Sequence, residues 1–380
     1  MHRLSESTAT IPRRRLSSLQ VGRGLAALAV VAFHVNDTMA KSKYFGHGPA
    51  GIFRAGDSGV NYFFVLSGFV ILIAHWSDFQ KGDAVSLFAW KRFRRIYPLL
   101  WFVLVCLCAL FIVVPSLRSD AQVGFGAVVS AFLTLPAKHE VFLFVEWTLR
   151  HELLFYIAFA IALWRLRVGV LIAIIWTTLS VVQMVTDWPY PASFFLTPFH
   201  FLFAFGMIAA IAYIRNIHVA PVSILITGAV GFAACWLLVV FADIPSGSAS
   251  IIIGRGVGAV LIVYGSAVLE SRGALKFPRS LLVLGDASYA LYLVHFPVVS
   301  VLTKIAFYVH QRIAYPPVLA VPIMITIATV VGVGAHFSIE KPMLSRLNGR
   351  PWRASRRVAS KRQCELAHTS CSSTNPEHRG

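Results

Sequence analysis

Along most of this chain apolar residues neither alternate nor recur at helical spacing. They run on for about the length of a bilayer crossing and then give way to short polar, basic stretches. A hydrocarbon core of about 30 Å takes roughly 20 helical residues to cross. Ten runs approach that length: 20–38, 58–75, 97–115, 150–166, 168–186, 199–214, 221–242, 251–269, 281–305 and 317–339. The pattern therefore predicts an all-α polytopic membrane protein with about ten transmembrane helices. A shorter run, 122–136, reads as re-entrant or interfacial, since a true crossing there would invert everything after it.

Composition excludes the soluble alternatives. Hydrophobic residues make up 57% of the chain against 13% charged, and the mean hydropathy is +0.71, far from a soluble domain. The net charge of +18 would suggest nucleic acid in a soluble protein. Here the basic residues sort by side instead. Arg13 to Arg15, Lys91 to Arg95, Arg165, Arg167, Arg215, Arg272, Lys276, Arg279 and the C-terminal tail fall on one side; Lys41, Lys43, Arg54, Arg118, Lys138, Arg150 and Arg312 fall on the other. The richer side is expected to be cytoplasmic, with both termini there, and the charge is accounted for by orientation and anionic lipid without nucleic acid.

Arg13 to Arg15 ahead of an apolar stretch resemble a signal peptide, but the polar residues inside that stretch argue that it is retained. The expected division is an N-terminal cytoplasmic tail over 1–18, a membrane-embedded domain over 19–342 and a basic, disordered cytoplasmic tail over 343–380. The five cysteines have neither zinc nor haem spacing.

Candidate chemistry lies inside the spans. Arg23 and His34 in "GRGLAALAVVAFHVND" are eleven residues apart, about 16 Å of rise and three turns plus some 20° on a helix. They share one face. Arg23 lies near the cytoplasmic boundary, where it binds an anion or anchors topology. His34 lies at or beyond the midplane, where an ionisable group is costly and faces a cavity or a partner. A neutral imidazole there can act as a base toward a hydroxyl or capture an acyl group.

Arg92, Arg94 and Arg95, just before Tyr97-Pro98, offer bidentate donors to phosphate and equally fit as positive anchors. Glu152 in "WTLRHELLFY" can orient the imidazole, take up its proton, or pair with Arg150. "HELLF" lacks the second histidine of a zinc helix, so no metal is expected. His295 in "SYALYLVHFPV" is deep enough to approach His34 and is a second-tier candidate with Tyr292. Ser67-Gly68 and the glycines around Arg255 read as close helix packing. Arg255 itself touches a glycan or snorkels, Trp147, Trp188 and Tyr190 fit an interfacial belt, and Glu340-Lys341-Pro342 reads as structural.

Six blocks in order, "LQVGRGLAALAVVAFHV", "SGVNYFFVLSGFVI", "KRFRRIYPLLW", "EWTLRHELLFY", "SYALYLVHFPV" and "FSIEKP", resemble the signatures of the acyltransferase-3 family of integral membrane acyltransferases. The resemblance is nearest to bacterial exopolysaccharide and O-antigen O-acetyltransferases without an appended hydrolase-like domain. It implies transfer of acetyl or another short acyl group from cytoplasmic acetyl-CoA to a hydroxyl of an exported polysaccharide or lipopolysaccharide, in a bacterial inner membrane. It also implies an essential His34 with Arg23, donor binding by the paired arginines Arg92 and Arg95, and a functional Glu152. Gln20 and Asn61 depart from it, standing where the family commonly has aspartate. A secondary transporter, or a scaffold within a polysaccharide-export complex, is the alternative that the residues alone leave open.

Overall fold

The computed structural model describes residues 16–114, 124–137, 142–186, 188–217 and 219–348. Among them there are helices and turns and no strand. The helices in chain order are α1 (Ser17–Ala40), α2 (Ser58–His75), α3 (Ala84–Val113), α4 (Phe125–Leu133), α5 (Trp147–Trp164), α6 (Leu166–Thr186), α7 (Ala192–Phe195), α8 (Phe199–Ile214), α9 (Pro221–Phe241), α10 (Ala249–Ser271), α11 (Arg279–Asp286), α12 (Ser288–Arg312), α13 (Ala320–Ala335) and α14 (Lys341–Asn348). In lipid every backbone polar group must be satisfied within its own segment, so uninterrupted apolar runs become helices.

Nine stretches of the described chain are helical, long and apolar enough to cross a membrane. The expected tenth span is α5, which is not among them and carries Arg150, His151 and Glu152 near its start. Within the run 122–136 the helix α4 has nine residues, about 14 Å of rise against a core of about 30 Å. It is too short to cross. The expected N-terminal tail up to residue 15, and the tail beyond 348, lie outside the described residues; residues 343–348 are part of α14.

Two boundaries differ from the apolar pattern. The third helix does not open at Tyr97-Pro98 but starts at Ala84 and runs through Pro98, a lapse that membrane helices tolerate because neighbours satisfy the freed carbonyl. Arg92, Arg94 and Arg95 are therefore helical, and Arg92 and Arg95, three apart, share a face. Conversely, the run 281–305 is broken at Ala287 into α11 and α12. His295 is thus seven residues into its helix.

Helix α1 lies inside the bundle, against α2, α10, α11, α12 and α13. Small residues set the approach distances, because helix association in lipid depends on close packing more than on apolar burial. A Cβ at Gly68 would run into the Phe203 carbonyl, and one at Gly206 into the Val65 carbonyl. Gly68 is therefore a packing position, as its sequence suggests, while Ser67 beside it lines a cavity. Arg255 neither snorkels nor reaches the surface: it is 0% exposed, paired with Asp57 at 3.2 Å and directed at the Ala55 carbonyl at 3.5 Å. That pair ties α10 to the entry of α2.

This packing predicts opposite outcomes for two glycines. Gly206→Val forces α8 off α2 and is expected to cost about 1–3 kcal/mol, whereas Gly231→Val, whose Cβ meets nothing within 4 Å, leaves stability unchanged. Thermal unfolding of the two variants in the same detergent checks the contrast.

Candidate active site

The site begins with two helices running in the same direction. Near one end Gly285 lies against the Gln20 backbone, and near the other Phe45 meets Phe307 with ring centroids 5.5 Å apart. This parallel register brings His34 of α1 beside His295 of α12. His295 Nε2 is 3.1 Å from His34 Nδ1. Both rings are buried, at 6% and 0% exposure.

Local backbone carbonyls fix the protons. His34 Nδ1 is 2.9 Å from the Val30 carbonyl and His295 Nδ1 is 3.1 Å from the Leu291 carbonyl. A carbonyl only accepts, so each neutral ring carries its proton on Nδ1. The Nδ1–H of His34 is then shared between the Val30 carbonyl and His295 Nε2, and His34 Nε2 keeps its lone pair. Phe33, Phe144 and Phe296 stand edge-on around the His34 ring at centroid distances of 5.0, 5.6 and 5.4 Å.

Toward the Arg95 end of the bundle lies a cavity of about 150 Å³. Arg23, Ser67, Arg92, Arg95, Glu152 and Tyr292 all contribute to its wall, so five elements, α1, α2, α3, α5 and α12, converge on it. Arg94 does not line it. The i, i+3 spacing of Arg92 and Arg95 on α3 explains why those two face inward together. Arg92 lies over the Phe88 and Tyr156 rings at 5.5 and 5.6 Å, and its Nε is buried without a hydrogen-bond partner. Arg95 lies over the Tyr289 ring at 5.0 Å and donates to Glu340 at 2.6 Å.

The site residues singled out from sequence thus meet, with two changes of partner. Glu152 does not bond the His34 imidazole, nor Arg150. It accepts from Ser67 Oγ at 3.2 Å and from the Tyr156 hydroxyl, while Arg150 pairs with Glu146 at 3.1 Å. Tyr292 stands between the cavity and the histidine pair, with its ring 5.8 Å from that of His295. Its hydroxyl is 2.8 Å from Thr148 Oγ1 and 3.2 Å from the Val145 carbonyl, which ties α12 to the start of α5.

Three participants were missed. Tyr289 fell outside the choice, although Tyr289, Tyr292 and His295 repeat every three residues and so mark one helical face. Tyr156 follows Glu152 by one turn and carries the same signal. Glu340, read as structural, proves to be the counter-charge of Arg95. A π-helical turn, His336–Glu340, joins α13 to α14, and within it His336 Nδ1 lies 2.7 Å from Glu340 Oε2.

Beyond the histidines, toward the Lys41 end, Phe144 and Phe296 stack with centroids 4.9 Å apart. They also wall a smaller cavity of about 60 Å³ with Leu107, Phe111 and Ser300. The histidine pair therefore lies between two cavities, one on the Arg95 side and one on the Lys41 side. Among the described residues no three His, Cys, Asp or Glu side chains cluster as metal ligands would.

Comparison with known proteins bears on this arrangement. Residues 16–336 match the family described as "Acyltransferase domain". The exopolysaccharide production protein ExoZ of Rhizobium meliloti is 28% identical over 310 residues, covering 77% of this chain and 91% of its own. The acyltransferase MdmB of Streptomyces mycarofaciens is 29% identical over 327 residues, covering 75% and 79% respectively. The peptidoglycan O-acetyltransferase OatA of Listeria monocytogenes is 30% identical over 125 residues, which cover 31% of this chain and 18% of that protein. No solved structure matches.

The Arg95–Glu340 pair makes a prediction of its own. Glu340, 2% exposed, holds Arg95 at the cavity wall. Glu340→Ala is expected to lower stability by roughly 1–3 kcal/mol, because it leaves the guanidinium partly buried without its partner. In a double-mutant cycle, Arg95→Met in the Glu340→Ala background should cost less than Arg95→Met alone; thermal unfolding of the four proteins measures the difference.

Proposed function

The chain belongs to the acyltransferase-3 family of multi-pass membrane acyltransferases, and from that premise we propose that it moves an acetyl or similar short acyl group from cytoplasmic acyl-CoA to a hydroxyl of an exported polysaccharide. In this reading the Arg95 end faces the cytoplasm of a bacterial inner membrane and both termini lie on that side. The Lys41 end faces outward. The observation that carries the reading is the His34–His295 pair at the joint between a basic cavity and an aromatic opening on opposite ends of the bundle.

The cavity residues fit an acyl-CoA donor. The carrier is anionic, and Arg92 brings a buried Nε with no protein partner, while Arg23 and Arg95 add charge to the same wall. Guanidinium groups pair with phosphate bidentately. Arg95 is already bound to Glu340, which leaves Arg92 as the main donor-binding arginine and Arg95 as its support. The cavity, about 150 Å³, suits the acyl end of the donor, with the charged end toward the cytoplasmic mouth.

His34 acts as the general base. Its Nε2 takes the proton of the acceptor hydroxyl as that oxygen attacks the thioester carbonyl. The carbon–sulfur bond breaks, and the departing thiolate recovers the proton from the imidazolium. His295 is a positioning residue: by accepting from His34 Nδ1–H it fixes the tautomer and favours the transient positive charge. Glu152, hydrogen-bonded to Ser67 and Tyr156, keeps the cavity wall in shape and sets its charge, acting on the donor rather than on the imidazole. The polysaccharide acceptor rests on the family and on the name of the exopolysaccharide production relative.

Transfer of label from acetyl-CoA to host polysaccharide by the purified protein tests this reading. His34→Ala, folded by thermal unfolding, is expected to lose roughly 10²–10⁴-fold in rate, with a smaller loss for His295→Leu. Arg92→Ala is expected to raise the KM for acetyl-CoA more than it lowers kcat. Equal transfer by wild type and His34→Ala contradicts the mechanism.

A further inference from the structure

The Lys41 end of the bundle breaks the charge pattern that orients the rest. Outward faces of membrane proteins are ordinarily poor in Lys and Arg near the helix ends. Here the parallel packing of α1 and α12 gathers Lys41, Lys43, Lys304 and Arg312 at one corner, with His310 among them.

Three of the described carboxylates on this side are already committed. Asp57 is paired with Arg255, Glu146 with Arg150 and Asp243 with Arg54. Asp37 lies one turn before Lys41, yet among the described residues Lys41, Lys43 and Arg312 are in no ion pair within 4.0 Å. Lys41 and Lys43 are exposed, so their charge is presented to whatever arrives.

Aromatic faces lie among these cations. Lys43 stands over the Tyr44 ring at 5.3 Å, Arg312 over Tyr308 at 4.5 Å and Lys41 over Phe296 at 5.7 Å. Tyr44 in turn meets Phe307 edge-on at 5.8 Å. The last of the three cation contacts matters most, because Phe296 is the ring that packs on His34. The basic corner therefore continues to the reacting centre through a single side chain.

We propose that this corner is the acceptor subsite and that it selects an anionic glycan, one bearing carboxylate or another acidic substituent on the sugar that precedes or follows the acylated one. The proposal rests on the reading of the protein as a polysaccharide acyltransferase whose Lys41 end faces outward. Lys41 and Lys43 attract and register the acidic groups, Tyr44 and Phe307 offer flat apolar faces to sugar rings, and Phe296 leads the chain toward His34. An anionic lipid headgroup meets the same charges, but lipid binding would not require Lys41 to stand over the ring that packs on His34.

The test is direct binding of a fluorescent polygalacturonate oligosaccharide to the full-length protein in detergent, beside the same oligosaccharide with its carboxyl groups reduced to alcohols. The acidic probe is expected to bind at least tenfold more tightly, with affinity falling as salt rises. Lys41→Gln/Lys43→Gln is expected to remove that preference and Lys41→Arg/Lys43→Arg to keep it; both pairs are exposed, and thermal unfolding reports that each protein is folded. Equal binding of the two probes, or a preference untouched by the glutamine pair, overturns the proposal. So does a glutamine pair that weakens association with phosphatidylglycerol vesicles and leaves the glycan preference intact. Measuring acyl transfer alongside separates the two readings: charge-selective binding without transfer defeats the proposed function alone, and transfer without charge selectivity defeats this inference alone.

Discussion

An ionisable ring placed deep in a bilayer must have partners, because neither lipid nor water will satisfy it there. The structure answers that demand for His34 with a second histidine and a backbone carbonyl, placed so that donors meet acceptors when each ring carries its proton on Nδ1. Much else follows from the need to bring those two rings together. Helices α1 and α12 must run parallel and in register. The approach of Gly285, in α11 just before α12, to the Gln20 backbone sets the register at one end, and the contact of Phe45, in the loop after α1, with Phe307 sets it at the other. The cavity on the arginine side and the aromatic opening on the lysine side are the spaces left at the two ends of that joint.

Charge in this protein is managed by pairing where it is buried and by exposure where it is not. Arg255 with Asp57 and Arg150 with Glu146 are closed units, each placing a guanidinium where an unpaired one would cost several kcal/mol. They fix the loops that carry Ala55 and Phe144. Arg95 is intermediate: its side chain is 30% exposed and bound to a glutamate that is 2% exposed. Arg92 keeps a buried Nε without a hydrogen-bond partner, as Arg255 does, but among the described residues it has no carboxylate within 4.0 Å, and it faces the cavity.

The order of the spans, and nine of the ten expected, were legible because apolar run length answers to bilayer thickness, a constraint that acts on each segment alone. Where two effects compete, the pattern misled. Pro98 reads as a helix start, yet a membrane helix runs through it, and the arginines before it are helical in consequence. Gly285 and Asp286 read as part of a continuous span, yet the chain breaks at Ala287. The face shared by Arg23 and His34 was readable from helical periodicity, and so was the depth of His295. What could not be read is which residues meet across long separations. Glu340 and Arg95 are brought together by tertiary packing, as are Ser67 and Glu152, and no local spacing encodes either pair. Local spacing accordingly points Glu152 to the imidazole or Arg150, where its hydrogen bonds go to Ser67 and Tyr156, and gives Glu340 a structural role without naming Arg95 as its partner.

The account stands on one geometric claim: the acyl group enters from the Arg92 end and leaves at the Lys41 end, with His34 between. The most direct measurement uses proteoliposomes of a single protein orientation, with labelled acetyl-CoA supplied to one face and polysaccharide to the other. Label is predicted to reach the polysaccharide only when the donor is on the Arg92 face and the acceptor on the Lys41 face. Transfer that requires both substrates on the same face, or that proceeds equally in either arrangement, would contradict it.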